Sequence, residues 1–287
     1  MKFSFIKTND NSSPYSLILG ADNNIWFTDN KANKIARLTY SGDIDEFIIP
    51  TEESGVALII AASNGAYFTE YKANKIGFID LDGNMTERQL SFNCSPYGIT
   101  VDNELAVWFT CMGNNQIGRI TDNDIIYFDI PTPLSYPSFI TFGCDGNMWF
   151  SENQGNKIGR ITKSGKISEF NLPTPGSAPV GITADKNAIW FTEIMGNRIG
   201  KISYDGKLKE YEIPTVNAKP HAIVVSESGI IAFTEWGANK IGIITLDENL
   251  MEYDIPAHST EPHGIIFDQQ GRLWFALEAG KIGNIIE

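Results

Sequence analysis

Short runs of alternating apolar and polar residues cover this chain from end to end. Ile189-Trp190-Phe191-Thr192-Glu193 and Ile167-Ser168-Glu169-Phe170-Asn171-Leu172 are representative. A period of two, with β-branched and aromatic residues at the apolar positions, predicts strands rather than helices. Turn-forming pairs such as Asp82-Gly83, Ser164-Gly165 and Asp205-Gly206 separate the runs.

The runs come in groups of four. The first has the form Pro96-Tyr97-Gly98-Ile99-Thr100 and the second carries an aromatic pair. The third follows Lys157-Ile158-Gly159-Arg160-Ile161-Thr162, and the fourth ends at a proline such as Pro173. An Asn-Lys-Ile-Gly marker, or a close variant, places asparagine at 33, 74, 115, 156, 197 and 239, with Gly280 in the seventh copy. The steps are 41 or 42 residues. Four strands at that period predict a β-propeller blade, so the chain reads as one all-β domain over residues 1–287, a seven-bladed β-propeller of four antiparallel strands per blade. The last repeat stops after its third strand, and Phe3-Ser4-Phe5-Ile6-Lys7 has the character of a fourth. Residues 2–8 are therefore expected to complete the last blade and close the ring, which removes exposed sheet edges.

Blade geometry sorts residues onto faces. The start of the first strand and the end of the second share a face bordering the central channel. The residues after the first-strand prolines, with Gly55 standing in for proline in the second repeat, are Tyr15, Val56, Tyr97, Ser138, Val180, His221 and His263. They are expected to ring the channel mouth. What repeats reads as fold. The pairs Trp26-Phe27, Tyr67-Phe68, Trp108-Phe109, Trp149-Phe150, Trp190-Phe191 and Trp274-Phe275, with Ala232-Phe233 as exception, read as packing between blades. The carboxylates Asp29, Glu70, Glu152, Glu193 and Glu235, with Cys111 in the third repeat, read as caps of the Asn-Lys turn or partners of its lysine.

What breaks the repeat is the candidate for chemistry. Glu261 precedes a first-strand proline where other repeats have Ser13, Ser95, Tyr136, Ala178 and Lys219. Glu278 lies in a second-to-third-strand connection one residue shorter than the others, which is expected to push it off register. His221 and His263 fall at equivalent positions on adjacent blades, so two of the chain's three histidines meet beside two irregular carboxylates. Histidine is the usual general acid/base near neutral pH. Two carboxylates suit a hard cation such as magnesium, which keeps several waters; a zinc site would want more nitrogen or sulfur. Tyr15 and Tyr97 either hydrogen-bond and pack a ligand or fill the channel. His258, in the loop before the site, is expected to be exposed.

Composition narrows the partners. The chain has 287 residues, 42% hydrophobic and 20% charged, with a net charge of −13 and no basic cluster. That balance argues against nucleic acid. Met1-Lys2-Phe3-Ser4-Phe5 lacks an apolar h-region, so no signal peptide is expected, and no apolar run is long enough to span a membrane. Cys94, Cys111 and Cys144 are odd in number and lack metal-ligand spacing, so free, mostly buried thiols in a reducing, cytoplasmic setting are expected. A closed ring needs no partner, which makes a monomer the default.

The chain resembles the virginiamycin B lyase (streptogramin B lyase) family over essentially its whole length. The resemblance rests on the Trp-Phe-Thr-Glu and Asn-Lys-Ile-Gly frames and on Glu235-Trp236-Gly237-Ala238-Asn239-Lys240-Ile241-Gly242. More telling are Lys219-Pro220-His221-Ala222-Ile223, Thr260-Glu261-Pro262-His263-Gly264-Ile265, Phe275-Ala276-Leu277-Glu278 and Pro14-Tyr15, although Ser16 replaces the family's usual glycine. The resemblance implies elimination on a cyclic depsipeptide antibiotic closed by a threonine ester. A base removes the threonine Cα proton and the carboxylate leaves from Cβ, which confers resistance. It implies His263 as acid/base, Glu261 and Glu278 as magnesium ligands, and His221 and Tyr15 as positioning groups. Two other readings share the scaffold: a metal-dependent lactonase or esterase propeller, and a non-catalytic ligand-binding propeller. No Gly-x-Ser-x-Gly frame supports a serine hydrolase.

Overall fold

The repeat resolves into seven four-stranded antiparallel sheets. The computed structural model describes residues 2–9, 11–91, 93–121, 124–257 and 260–286; His258 lies outside the described residues. Blade 1 comprises strands Pro14–Leu19, Ile25–Asp29, Lys34–Leu38 and Ile44–Ile48, and blades 2 to 6 repeat that order. Blade 7 takes Pro262–Phe267, Leu273–Leu277 and Lys281–Ile285 from the end of the chain and Phe3–Lys7 from its beginning. Phe3 pairs with Ile285 and Lys7 with Lys281, so the N-terminal strand closes the ring as its pattern predicts.

The aromatic pairs hold neighbouring blades together. Trp26 clusters with Phe68 of the next blade, Trp108 with Phe150, Trp149 with Phe191, Trp190 with Phe233, and Trp274 with Phe27 across the closing seam. In blades 2 to 7 the phenylalanine lies over the glycine of the Asn-Lys-Ile-Gly marker, while in blade 1 Phe27 pairs with Ala36. A Cβ on Gly118 would sit 2.1 Å from the Phe109 ring, so glycine is what lets the third strand approach there.

The asparagine of the marker has a different task. Asn33, Asn74, Asn115, Asn156, Asn197 and Asn239 all adopt positive φ, between 54° and 61°. Their side-chain oxygens accept backbone N–H groups at the entrance of the next blade's first strand. Asn239 thereby holds Thr260, the residue before Glu261, at 3.1 Å.

The repeated second-strand carboxylates divide into two kinds. Asp29 does cap its turn, accepting from the Ser13 and Ala32 amides at 2.8 and 3.0 Å. Glu70, Glu152, Glu193 and Glu235 do not take the lysine. Lys75 and Lys157 reach the fourth strand instead, where Glu87 and Glu169 bind them at 3.0 Å. The four second-strand glutamates are sealed from solvent. Burial, reinforced by a neighbouring carboxylate, raises them to about 8, 8, 7 and 9, respectively. The folded state therefore binds these protons more tightly than the unfolded chain, whose glutamates titrate near 4.5. Their contribution to stability is complete below that value and is lost as pH rises through 7 to 9. Burial holds His221 below 6.5, so it opposes this trend only under more acidic conditions. Calorimetry is accordingly expected to show Tm falling between pH 6.5 and 9, with a shallower fall in Glu235→Gln. A flat or rising profile would refute it.

The cysteines also depart from expectation. Cys94 and Cys111 form a disulfide with Cα atoms 4.5 Å apart, and Cys144 is exposed rather than buried. The reason lies in strand register. Cys111 pairs with Pro96, which brings the end of the second strand beside the entrance of the first. In blade 2 the corresponding places hold Ser54 and Glu70, so a covalent bond replaces a hydroxyl and a carboxyl. Closing a 17-residue loop contributes about 3 kcal/mol in the chain-entropy account. With Cys94 and Cys111 joined, the cysteines no longer point to a reducing compartment.

Candidate functional site

The site is built from one irregularity that every blade shares. In each first strand, pairing slips between the proline position and the residue three further on, as at Pro220/Ile223 and Pro262/Ile265. This bulge frees the residue after the proline from the ladder and turns it into the channel mouth. Blade 2 corrects the expected ring. Val56, not Gly55, pairs with Glu70 in the proline's place, so Ala57 rather than Val56 is the ring residue. Gly55 fills the position before, where φ is 68°, and Ser95, Tyr136, Ala178, Lys219 and Glu261 occupy equivalent positions at 47° to 55°.

A second repeated device fixes the ring. A hydroxyl on the second strand of blades 1 to 6 donates to the ring carbonyl of the next blade. Thr28 binds Ala57 O at 2.7 Å, Thr69 binds Tyr97 O at 3.0 Å, and Thr110 binds Ser138 O at 2.6 Å. Ser151 binds Val180 O at 2.7 Å, while Thr192 and Thr234 bind the carbonyls of His221 and His263 at 2.8 Å each. Blade 7 has Ala276 in this place, so the Tyr15 carbonyl receives no such strap.

The structure brings the candidate residues together. His263 Nε2 lies 2.8 Å from Glu278 Oε1, and its Nδ1 lies 3.4 Å from His221 Nδ1. His221 Nε2 is 3.4 Å from the Tyr15 hydroxyl, which is hydrogen-bonded to the Tyr97 hydroxyl. The Tyr15 ring packs 4.6 Å from that of His263. Trp236, which the sequence analysis does not single out as a site residue, flanks His263 from blade 6 at 6.2 Å, with Lys219 Nζ 4.8 Å over its ring. Phe139 closes the far side, edge-on to both Tyr97 and His221 at 5.8 Å.

Electrostatics follow from this crowding. Burial, then the charge of His263, holds His221 well below the usual histidine range. Burial pushes the Tyr15 phenol well above its ordinary value and Tyr97 up to about 12. The hydrogen bond to His263 keeps the Glu278 carboxyl below its usual value against the opposing effect of burial.

Glu278 reaches this place differently from the expectation. Leu277 pairs with Pro262 in the slot of the buried carboxylates, and Glu278 takes the next position, which holds Trp236 in blade 6. Its backbone N–H donates to Glu261 O at 3.3 Å, as that of Trp236 donates to Lys219 O at 3.2 Å. The missing residue therefore lies beyond Glu278. Glu261 and Glu278 form the rim of blade 7, Glu261 exposed and the Glu278 side chain 32% exposed, and the two carboxyls reach each other. Among the described residues no group of three or more histidine, cysteine or acidic side chains could wrap a metal. Two carboxylates open to water fit a hard cation that keeps much of its hydration, and fit zinc poorly.

Beside the histidines is a recess of about 360 Å³, lined by Tyr71, Met112, Tyr136, Val180, Ile194 and Tyr97 among others. It can receive an apolar group next to the acid/base cluster. The larger groove of about 770 Å³ between blades 2 and 3 contains none of the candidate site residues.

Known proteins resemble this chain in sequence and fold. Residues 2–285 match the Virginiamycin B lyase family. A solved streptogramin B lyase is 46% identical over 99% of this chain and 96% of its own, with a TM-score of 0.96. Selenomethionine-substituted virginiamycin B lyase from Staphylococcus aureus is 45% identical over 99% of both chains, with a TM-score of 0.95. A catalytically inactive histidine-to-alanine variant of the Staphylococcus aureus enzyme, solved with quinupristin, is 44% identical over 99% of this chain and 100% of its own, with a TM-score of 0.94.

Proposed function

The chain belongs to the virginiamycin B lyase family of carbon–oxygen lyases, and from that premise we propose that it opens type B streptogramin cyclic depsipeptides by elimination at the threonine ester, a reaction that would confer resistance. The observation that carries this reading is His263 held between Glu278 and His221 on the channel face. The relative solved with quinupristin as an inactive histidine-to-alanine variant supports a histidine in the reaction.

The His263 imidazole takes the threonine Cα proton. The Cα–H electron pair becomes the Cα=Cβ double bond, the Cβ–O bond breaks, and the ester oxygen leaves as a carboxylate. Glu278 then pairs with the protonated imidazole, while His221 and Tyr15 hold the ring from behind. Glu261 and Glu278 would hold magnesium, which when bound offsets the negative charge developing on the departing carboxylate. The recess bounded by Tyr71, Met112, Tyr136 and Ile194 suits an apolar side chain of the depsipeptide.

Turnover in heavy-oxygen water tests the reaction type. Elimination is expected to leave the product free of label, whereas a lactonase on the same scaffold would introduce one labelled oxygen.

A further inference from the structure

The position before each first-strand proline, or before Val56 in blade 2, holds Ser13, Gly55, Ser95, Tyr136, Ala178, Lys219 and Glu261. Lys219 is the one cation in that set, and it stands on the blade next to Glu261 and His263. Its aliphatic stem lies along Gly237, where a Cβ would come 3.0 Å from Lys219 Cγ. Its Nζ rests 4.8 Å over the ring of Trp236, which flanks His263. Among the described residues no carboxylate pairs with this ammonium, Glu261 included. We infer that Lys219 is a further catalytic residue, which meets the negative charge that develops on the carbonyl oxygen of the substrate's threonine as Cα loses its proton.

This rests on the proposed elimination, whose electron flow puts charge on two oxygens. As the His263 imidazole takes the Cα proton, the C–H pair is shared with the threonine carbonyl, and its oxygen gains enolate character. The pair then becomes the Cα=Cβ bond, and the ester oxygen leaves as a carboxylate with the Cβ–O pair. A base alone does not suffice for so weak a carbon acid. A fixed charge aimed at the developing oxyanion supplies the rest. The two oxygens sit on opposite sides of the Cα–Cβ bond, so separate groups can serve them. Blade 7 presents Glu261 and Glu278 beside His263, and these repel an oxyanion unless a cation lies between. Blade 6 presents Lys219, which has the sign to meet one directly. The Trp236 face holds the ammonium through its ring electrons and leaves its charge uncancelled, as a carboxylate partner would not.

Lys219→Met keeps an unbranched stem over Gly237 and Trp236 and removes the charge. It is expected to lower kcat about 10²-fold with KM within about threefold, because the lost contact forms only in the transition state. Circular dichroism and thermal melting should match the wild type. Lys219→Arg, which keeps a cation that also stacks on an indole, should turn over at least about tenfold faster than Lys219→Met. Substrate deuterated at the threonine Cα locates the charge. With Lys219 at the carbonyl oxygen, its loss slows proton removal, so the isotope effect on kcat in Lys219→Met should equal or exceed that of the wild type. A smaller isotope effect would move the charge to the departing carboxylate and overturn the inference. Equal rates for the two variants would overturn it too, as would wild-type kcat in Lys219→Met, with or without a raised KM. A wild type that gives no elimination product would defeat the functional reading and this inference together, whereas a Lys219→Met variant as fast as an active wild type defeats this one alone.

Discussion

Replacing His263 with alanine is expected to abolish ring opening and leave the propeller intact. The side chain is 9% exposed, with its outer nitrogen on Glu278 and its inner one on His221. No other described group stands in both contacts, so nothing in the site can take over its proton. General base catalysis alone contributes about 10²–10⁴-fold, and a carbon acid as weak as a peptide Cα–H has little rate left without it. The fold does not depend on the imidazole. The His263 carbonyl stays bound to Thr234 at 2.8 Å, and the strand keeps its pairing with Leu273–Leu277. Circular dichroism and thermal melting should match the wild type within a few degrees while turnover disappears. Turnover near the wild-type level would defeat the assignment of the base.

Glu278→Gln is expected to have the second-largest effect, because one carboxylate serves two tasks. It accepts from His263 Nε2 at 2.8 Å, and with Glu261 it forms the acidic rim of blade 7. An amide matches its shape, but it cannot pair with an imidazolium and is a poor ligand for a hard cation. Activity should fall by about 10² or more. The magnesium concentration needed for half-activity should rise, and Glu261→Gln should raise it too. In the wild type, EDTA should remove activity and added magnesium restore it. A wild-type rate indifferent to EDTA would separate the carboxylates from any metal and leave Glu278 only its pairing with His263.

How far these features were legible depends on the kind of information that carries them. The blades were readable because each repeats the same turn, aromatic and glycine signals, and the N-terminal closing strand was readable because the last repeat lacked its fourth. The site was readable as departures from the repeat: His221, His263, Glu261 and Glu278 each stand where other blades have something else. What escaped depends on register across strands. Cys94 and Cys111 are 17 residues apart in sequence, and only the pairing of Cys111 with Pro96 brings them into contact. Gly55 looked like a substitute for proline, but its positive φ places it one residue earlier, so Ala57 replaces Val56 in the ring. The lysines of the marker turn to the fourth strand because Glu87 and Glu169 lie within reach there, leaving the second-strand glutamates buried with their carboxyls pushed up. The contact between Tyr15 and Tyr97 joins blades 1 and 3 across the channel, and nothing local in either strand announces it. One signal was present and unused. Phe-Thr or Phe-Ser recurs on six second strands and becomes Phe275-Ala276 in the seventh, beside the residues that do the chemistry.

Elimination by His263 at a threonine ester is decided by the mass of the product. A type B streptogramin incubated with the protein and magnesium should give a ring-opened product of unchanged mass that carries a dehydrobutyrine residue. A product heavier by one water would contradict the account and identify a hydrolase built on the same seven blades.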